Sequence, residues 1–148
     1  MAQIKLTSLI KKIEDRLNEV RTEFLINMAE DIVTSSIPTV DTGAYITSHS
    51  IRTTRGAGRS RSSFGKPTGQ DPTAKAAEAM DQLMQDITSL PEEQIEVFFT
   101  NNAPHAKFVE YGSINWKKNP DGYAVYEGAR NRAKYHLQDA IAKVKGST

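Results

Sequence analysis

At 148 residues the chain fits one domain, and a chain of that size buries roughly 70% of its unfolded surface, enough for a real core. It has no cysteine, which excludes disulfides, thiolate nucleophiles and thiolate metal sites, and no apolar run approaches the roughly 20 residues of a membrane helix. The 19 basic and 18 acidic residues leave a net charge of +1, so the total does not point to nucleic acid, but the distribution is uneven. No Asp or Glu occurs from Thr42 to Gln70, where Arg52, Arg55, Arg59, Arg61 and Lys66 all fall. The hydrophobic fraction of 38% is mildly low and fits a protein with extended polar segments, or one that completes its core on a neighbour. The opening MAQIKLTSLIKKIEDR mixes acids and bases and lacks the apolar stretch of a signal peptide, so the protein is read as cytosolic where it is made.

From about Leu6 to Thr34 the apolar residues Leu6, Ile10, Ile13, Leu17, Val20, Phe24, Met28 and Ile32 recur three or four apart, which predicts one long amphipathic helix. Thr7 or Ser8 is the expected cap, and Ser35, Ser36 and Pro38 end the pattern. At about 1.5 Å per residue this helix runs to about 42 Å, long for so small a domain, so its overhang packs on a sheet or reaches a neighbouring subunit. A turn around Gly43 leads into a predicted strand from Ile46 to Thr54, rich in β-branched residues. Gly56 to Gly69 is Gly/Ser/Arg-rich with one aromatic, Phe64, and is expected to be a mobile loop or hairpin arm, spanning about 52–70 overall.

Asp71-Pro72 is a helix start, with Asp as N-cap and Pro at the first position. The apolar face expected for this helix is Ala76, Ala77, Met80, Leu83, Met84 and Ile87, and Leu90-Pro91 closes it. Gln94 to Asn101 alternates as a strand, Asn101 to Pro104 turns, and His105 to Tyr111 makes one or two helical turns before Gly112, with Val109 and Tyr111 facing the core. Ser113 to Gly122 is polar and turn-rich, and Tyr123 to Val144 is a final helix. The predicted fold is a single α+β domain, 1–148: a long N-terminal helix and a C-terminal helix packed on a small, mainly antiparallel sheet, with an extended basic loop or hairpin arm. A third strand is sought at Ser113–Lys118 or near Val40.

Chemistry-bearing patterns are sparse. His49, His105 and His136 fall in no metal-binding spacing, the glycines match no phosphate loop, and Ser60, Ser62 and Ser63 lie in a flexible stretch without the rigid elbow a nucleophile needs. His105 near Lys107 and Glu110 reads more simply as a turn residue than as a base. No catalytic, cofactor or metal residue is assigned, and the chain is read as not an enzyme. The basic arm is the one charge feature above background, and it fits phosphates or, preferably, acidic partner surfaces.

Two segments, Val40-Asp41-Thr42-Gly43-Ala44-Tyr45 through Ile51 and Asn102-Ala103-Pro104-His105-Ala106-Lys107-Phe108-Val109-Glu110-Tyr111-Gly112-Ser113, resemble the neck and tail-completion (head–tail joining, minor tail) proteins of tailed bacteriophages. Those carry V-D-T-G-x-L-x-x-S-I after a long first helix and A-P-Y-A-x-x-V-E-Y-G-T before a last one, the order found here over most of the chain. Tyr45, His105 and Ser113 depart from that pattern, and Ser50-Ile51 comes late.

The resemblance implies a structural virion subunit that forms a ring, six copies preferred over twelve, between portal or head-completion protein and tail proteins. Its place is the virion neck or tail, reached from the host cytoplasm during assembly, with no membrane and with non-specific contact to packaged DNA open. The structural motif is Asp41, Thr42, Gly43, Pro104, Val109, Glu110, Tyr111 and Gly112; Glu110 is expected to point outward or to cap a neighbour's backbone. The candidate partner-binding arm is Arg52, Arg55, Arg59, Arg61 and Lys66. A ring needs two different patches per subunit, and the long helix and the arm are the candidates. The alternative is a small nucleic-acid-binding protein using the arm.

Overall fold

The computed structural model describes residues 6–61, 68–93, 96–112 and 121–146. It is an α+β structure: α1 (Leu6–Ser36), a 3-10 turn (Ile37–Thr39), a second 3-10 turn (Ile46–Ser48), β1 (His49–Arg52), α2 (Pro72–Thr88), β2 (Phe98–Asn101), α3 (Ala106–Tyr111) and α4 (Val125–Gly146). Among the described residues no helix is long and apolar enough to cross a membrane.

α1 runs two residues past the predicted end. The Ser36 hydroxyl donates to the Ile32 carbonyl (2.7 Å) and Thr39 donates to the Ser36 carbonyl (2.6 Å), so the last turn closes before Pro38 prevents continuation. Thr7 and Ser8 lie inside the helix and not at its cap. α2 begins as predicted: the Asp71 carboxylate accepts from the Thr73 amide at 3.0 Å, and Pro72 occupies the first position.

The sheet has two strands among the described residues, paired antiparallel with His49 opposite Asn101 and Ile51 opposite Phe99. Val40 lies in no strand, and 113–118, the other place sought for a third strand, is outside the described residues. β1 is shorter than predicted because Thr47 and Ser48 turn their hydroxyls onto the Gly43 and Ala44 carbonyls, which favours a 3-10 turn over extended backbone. Two strands alone are marginal in water. Here the helices supply the missing layer.

α1 is the central element and presents different faces to its neighbours. Leu25, Ala29 and Val33 pack with Ile46, Ile51 and the α2 residues Ala79, Leu83 and Ile87. Ile32, with Met28 beside it, packs with Tyr45, Val109 and the α4 residues Val125 and Ala129. α4 lies antiparallel to α1, held by Asp31 to Arg132 (2.6 and 2.8 Å), Asp31 to His136 (2.6 Å), Asn27 to the His136 carbonyl (3.0 Å) and Arg16 to the Val144 carbonyl (3.2 Å). Burial pushes the Asp31 carboxyl up, and the Arg132 and His136 hydrogen bonds more than reverse this, leaving it below its ordinary value.

The expected single stripe from Leu6 to Ile32 is therefore only half used. From Leu25 onward the buried positions are Leu25, Ala29, Ile32, Val33 and Ser36, whereas Leu6, Ile13 and Leu17 remain 68%, 52% and 64% exposed. The partner helices reach α1 only from about Arg16 onward, so about 15 Å of α1 projects beyond them. The α2 face is likewise rotated from expectation: Ala79, Leu83, Asp86 and Ile87 are buried, while Ala77 and Met84 are exposed.

α3 and the start of α4 form a tight corner. The Tyr123 amide donates to the Val109 carbonyl (2.7 Å) and the Ala124 amide to the Glu110 carbonyl (3.1 Å). Gly122 has a φ of +80°, and a Cβ there would sit 2.5 Å from the Glu110 carbonyl oxygen and the Gly112 nitrogen. Both obstacles are backbone. Gly122→Ala is expected to cost about 2–3 kcal/mol from the positive φ and the clash, read as a lower urea midpoint at unchanged slope.

Candidate functional site

The two sequence segments singled out above are brought together as one unit. The turn containing Asp41, Thr42 and Gly43 and the segment containing Pro104, His105 and Val109 line opposite sides of an open cleft of about 470 Å³, with Tyr45 and Tyr123 contributing to its walls. Gly43 takes a φ of +83°, which glycine adopts without steric cost. Asp41 clasps the chain returning from the arm: its carbonyl accepts from the Gln70 amide (2.9 Å) and its carboxylate from the Gly69 amide (3.2 Å). Thr42 closes a local turn by accepting from the Ala44 amide at 3.3 Å. Burial pushes the His105 imidazole below its ordinary value.

Val109 is 2% exposed and anchors α3, as read from the sequence. Tyr111 does not anchor: it is 69% exposed, because two residues along a helix turn about 200° and cannot share the inward face with Val109. Glu110 does not point outward. Its two carboxylate oxygens accept from the Tyr126 amide (2.9 Å) and the Glu127 amide (3.0 Å), capping α4 of its own chain. The first amides of a helix lack partners and carry a partial positive charge, so a carboxylate is stabilised there. Gly112 ends α3 at a φ of +79°, its amide donating to the Phe108 carbonyl at 2.7 Å.

Behind the cleft lies a buried polar chain that the sequence reading missed. His49 is 1% exposed, with Nε2 2.8 Å from the Ser36 hydroxyl and Nδ1 2.7 Å from the Tyr126 hydroxyl and 3.1 Å from Asn101 Nδ2. The Ser36 proton goes to the Ile32 carbonyl, so Nε2 carries the ring hydrogen and Nδ1 accepts; the tautomer is assigned by these partners. Asn101 also donates to the Tyr45 carbonyl (2.7 Å) and accepts from the Ala103 amide (3.0 Å), tying both segments to β2. Burial, and secondarily the Arg59 charge, push the His49 pKa down to about 3. Ser36 and His49 resemble a nucleophile and base in geometry, yet both are buried and their hydrogen bonds are committed to the core.

The arm is equally changed by the structure. Arg59 donates both terminal nitrogens to Asp86 (2.8 and 3.0 Å) and one of them to the His49 carbonyl, and Arg52 reaches the same carboxylate at 2.7 Å. Asp86 also accepts from the Ile51 amide at 3.0 Å. The arm backbone is stitched to β1 through the Arg59 amide to Ser50 Oγ and the Arg61 amide to Ser48 Oγ, each 2.8 Å. Arg55 lies over the Phe98 ring, 5.8 Å from its centroid. Two of the five arm cations thus serve an internal carboxylate. Lys66, with the rest of 62–67, lies outside the described residues. One sequence signal marks the site in retrospect: Asp86 falls three residues after Leu83 on the buried stripe of α2, where an acid needs a cation.

Among the described residues no group of three His, Cys, Asp or Glu side chains is arranged to hold a metal ion. Comparison with protein-family models, with curated proteins and with solved structures finds no match for this chain.

Two outcomes test these networks. Neutral His49 binds no proton in the fold above about pH 3, whereas the unfolded chain binds one below about 6.5, so the unfolded state holds more protons as pH falls. Stability should decline by up to about 1.4 kcal/mol per pH unit below 6.5, and His49→Gln should flatten that slope between pH 6.5 and 5 in urea titrations. Asp86→Asn leaves Arg59 and Arg52 without their counter-charge and should cost about 3 kcal/mol, with faster tryptic cleavage at Arg59.

Proposed function

We propose that the chain is a structural subunit of a tailed-phage virion, part of the neck or tail-completion ring that joins portal to tail, and that it works by self-assembly and not by catalysis. The reading rests on the uncovered apolar stripe of α1. Leu6, Leu9, Ile10, Ile13 and Leu17 recur three or four apart and are 44–68% exposed, on a stretch of helix that projects past the body. An apolar edge of this length is costly to leave in water and marks an association surface.

The resemblance carried by the Asp41–Gly43 and Pro104–Gly112 segments supplies the identity of the assembly. Their convergence on one cleft, with Glu110 locking α4 and Asp41 clasping the arm, supports reading them as the stabilising frame of a subunit. The commitment of Ser36 and His49 to the core weighs against a hydrolase. The pairing of Arg52 and Arg59 with Asp86 weighs against the arm as a DNA-binding element, since it turns Arg59 inward and partly neutralises both cations.

Native mass spectrometry of the full chain, alone and with portal or tail proteins, should give one discrete oligomer, six copies being preferred. Ile13→Asp and Leu17→Asp should abolish it while leaving the melting temperature within a few degrees, because both side chains stand outside the core. A wild-type chain that stays monomeric under both conditions refutes the reading.

A further inference from the structure

We draw no further inference here: the strongest candidate, the apolar edge of α1 from Leu6 to Leu17 beside the α1–α2–α4 groove, carries nothing because the groove's acids are paired within the chain, Asp15 with Lys11, Glu19 with Arg16 and Glu23 with Lys143, and nothing in the structure shows what covers that edge.

Discussion

A carboxylate taken out of water is stable only if cations and amides surround it, and Asp86 on α2 is such a group. Its side chain is 6% exposed and receives the Arg59 fork, the Arg52 guanidinium and the Ile51 amide. These partners come from β1 and from the chain that leaves it. Burying Asp86 thus dictates where β1 lies against α2 and obliges the first part of the arm to fold back along the strand. Ser48 and Ser50 complete the arrangement, since only small hydroxyl side chains let that backbone approach closely enough to bond. At Gly58 a Cβ would meet the Ser50 side chain at 2.5 Å, which shows how little space remains.

A second constraint links the other half of the molecule. His49 has no route to water, so its neutral ring needs a donor on one side and an acceptor on the other. Ser36, Tyr126 and Asn101 meet that need, and they come from α1, α4 and β2. Glu110 acts alongside, holding the first amides of α4 and so setting where that helix leaves α3. Polar groups of this kind specify one arrangement of elements more strictly than apolar packing does, because a misplaced partner leaves a buried group unsatisfied. On the proposed reading this rigidity is useful in itself: a ring subunit must present its contact surfaces at fixed angles.

The projecting part of α1 obeys a different rule. It takes no part in either network, and its apolar side chains face solvent. On the proposed reading, stability of the body and capacity to associate are separated along one helix, with the division near Arg16. In the proposed assembly the helix belongs to two cores, its own from Leu25 onward and that of a neighbour before Leu17.

Local patterns determined a good deal by themselves. The period of three or four from Leu6, the Asp71-Pro72 start of α2, the turn at Gly43 and the short α3 closed by Gly112 were all legible, because caps, turns and amphipathic periods act over a few residues. Mismatches came where distant residues compete. Ile46 to Ser48 has β-branched character, yet side-chain hydroxyls bonding to nearby carbonyls turned it into a 3-10 segment. The α1 stripe was visible as a stripe, but which part of it is buried depends on where α4 ends. The arginines of the arm read as free cations because nothing local marks Asp86, 27 residues from Arg59, as their partner. The sequence alone therefore determined the elements, their order and the α+β class; pairing, burial and the fate of each charge were decided by the tertiary structure, because those energies belong to contacts between residues far apart in the chain.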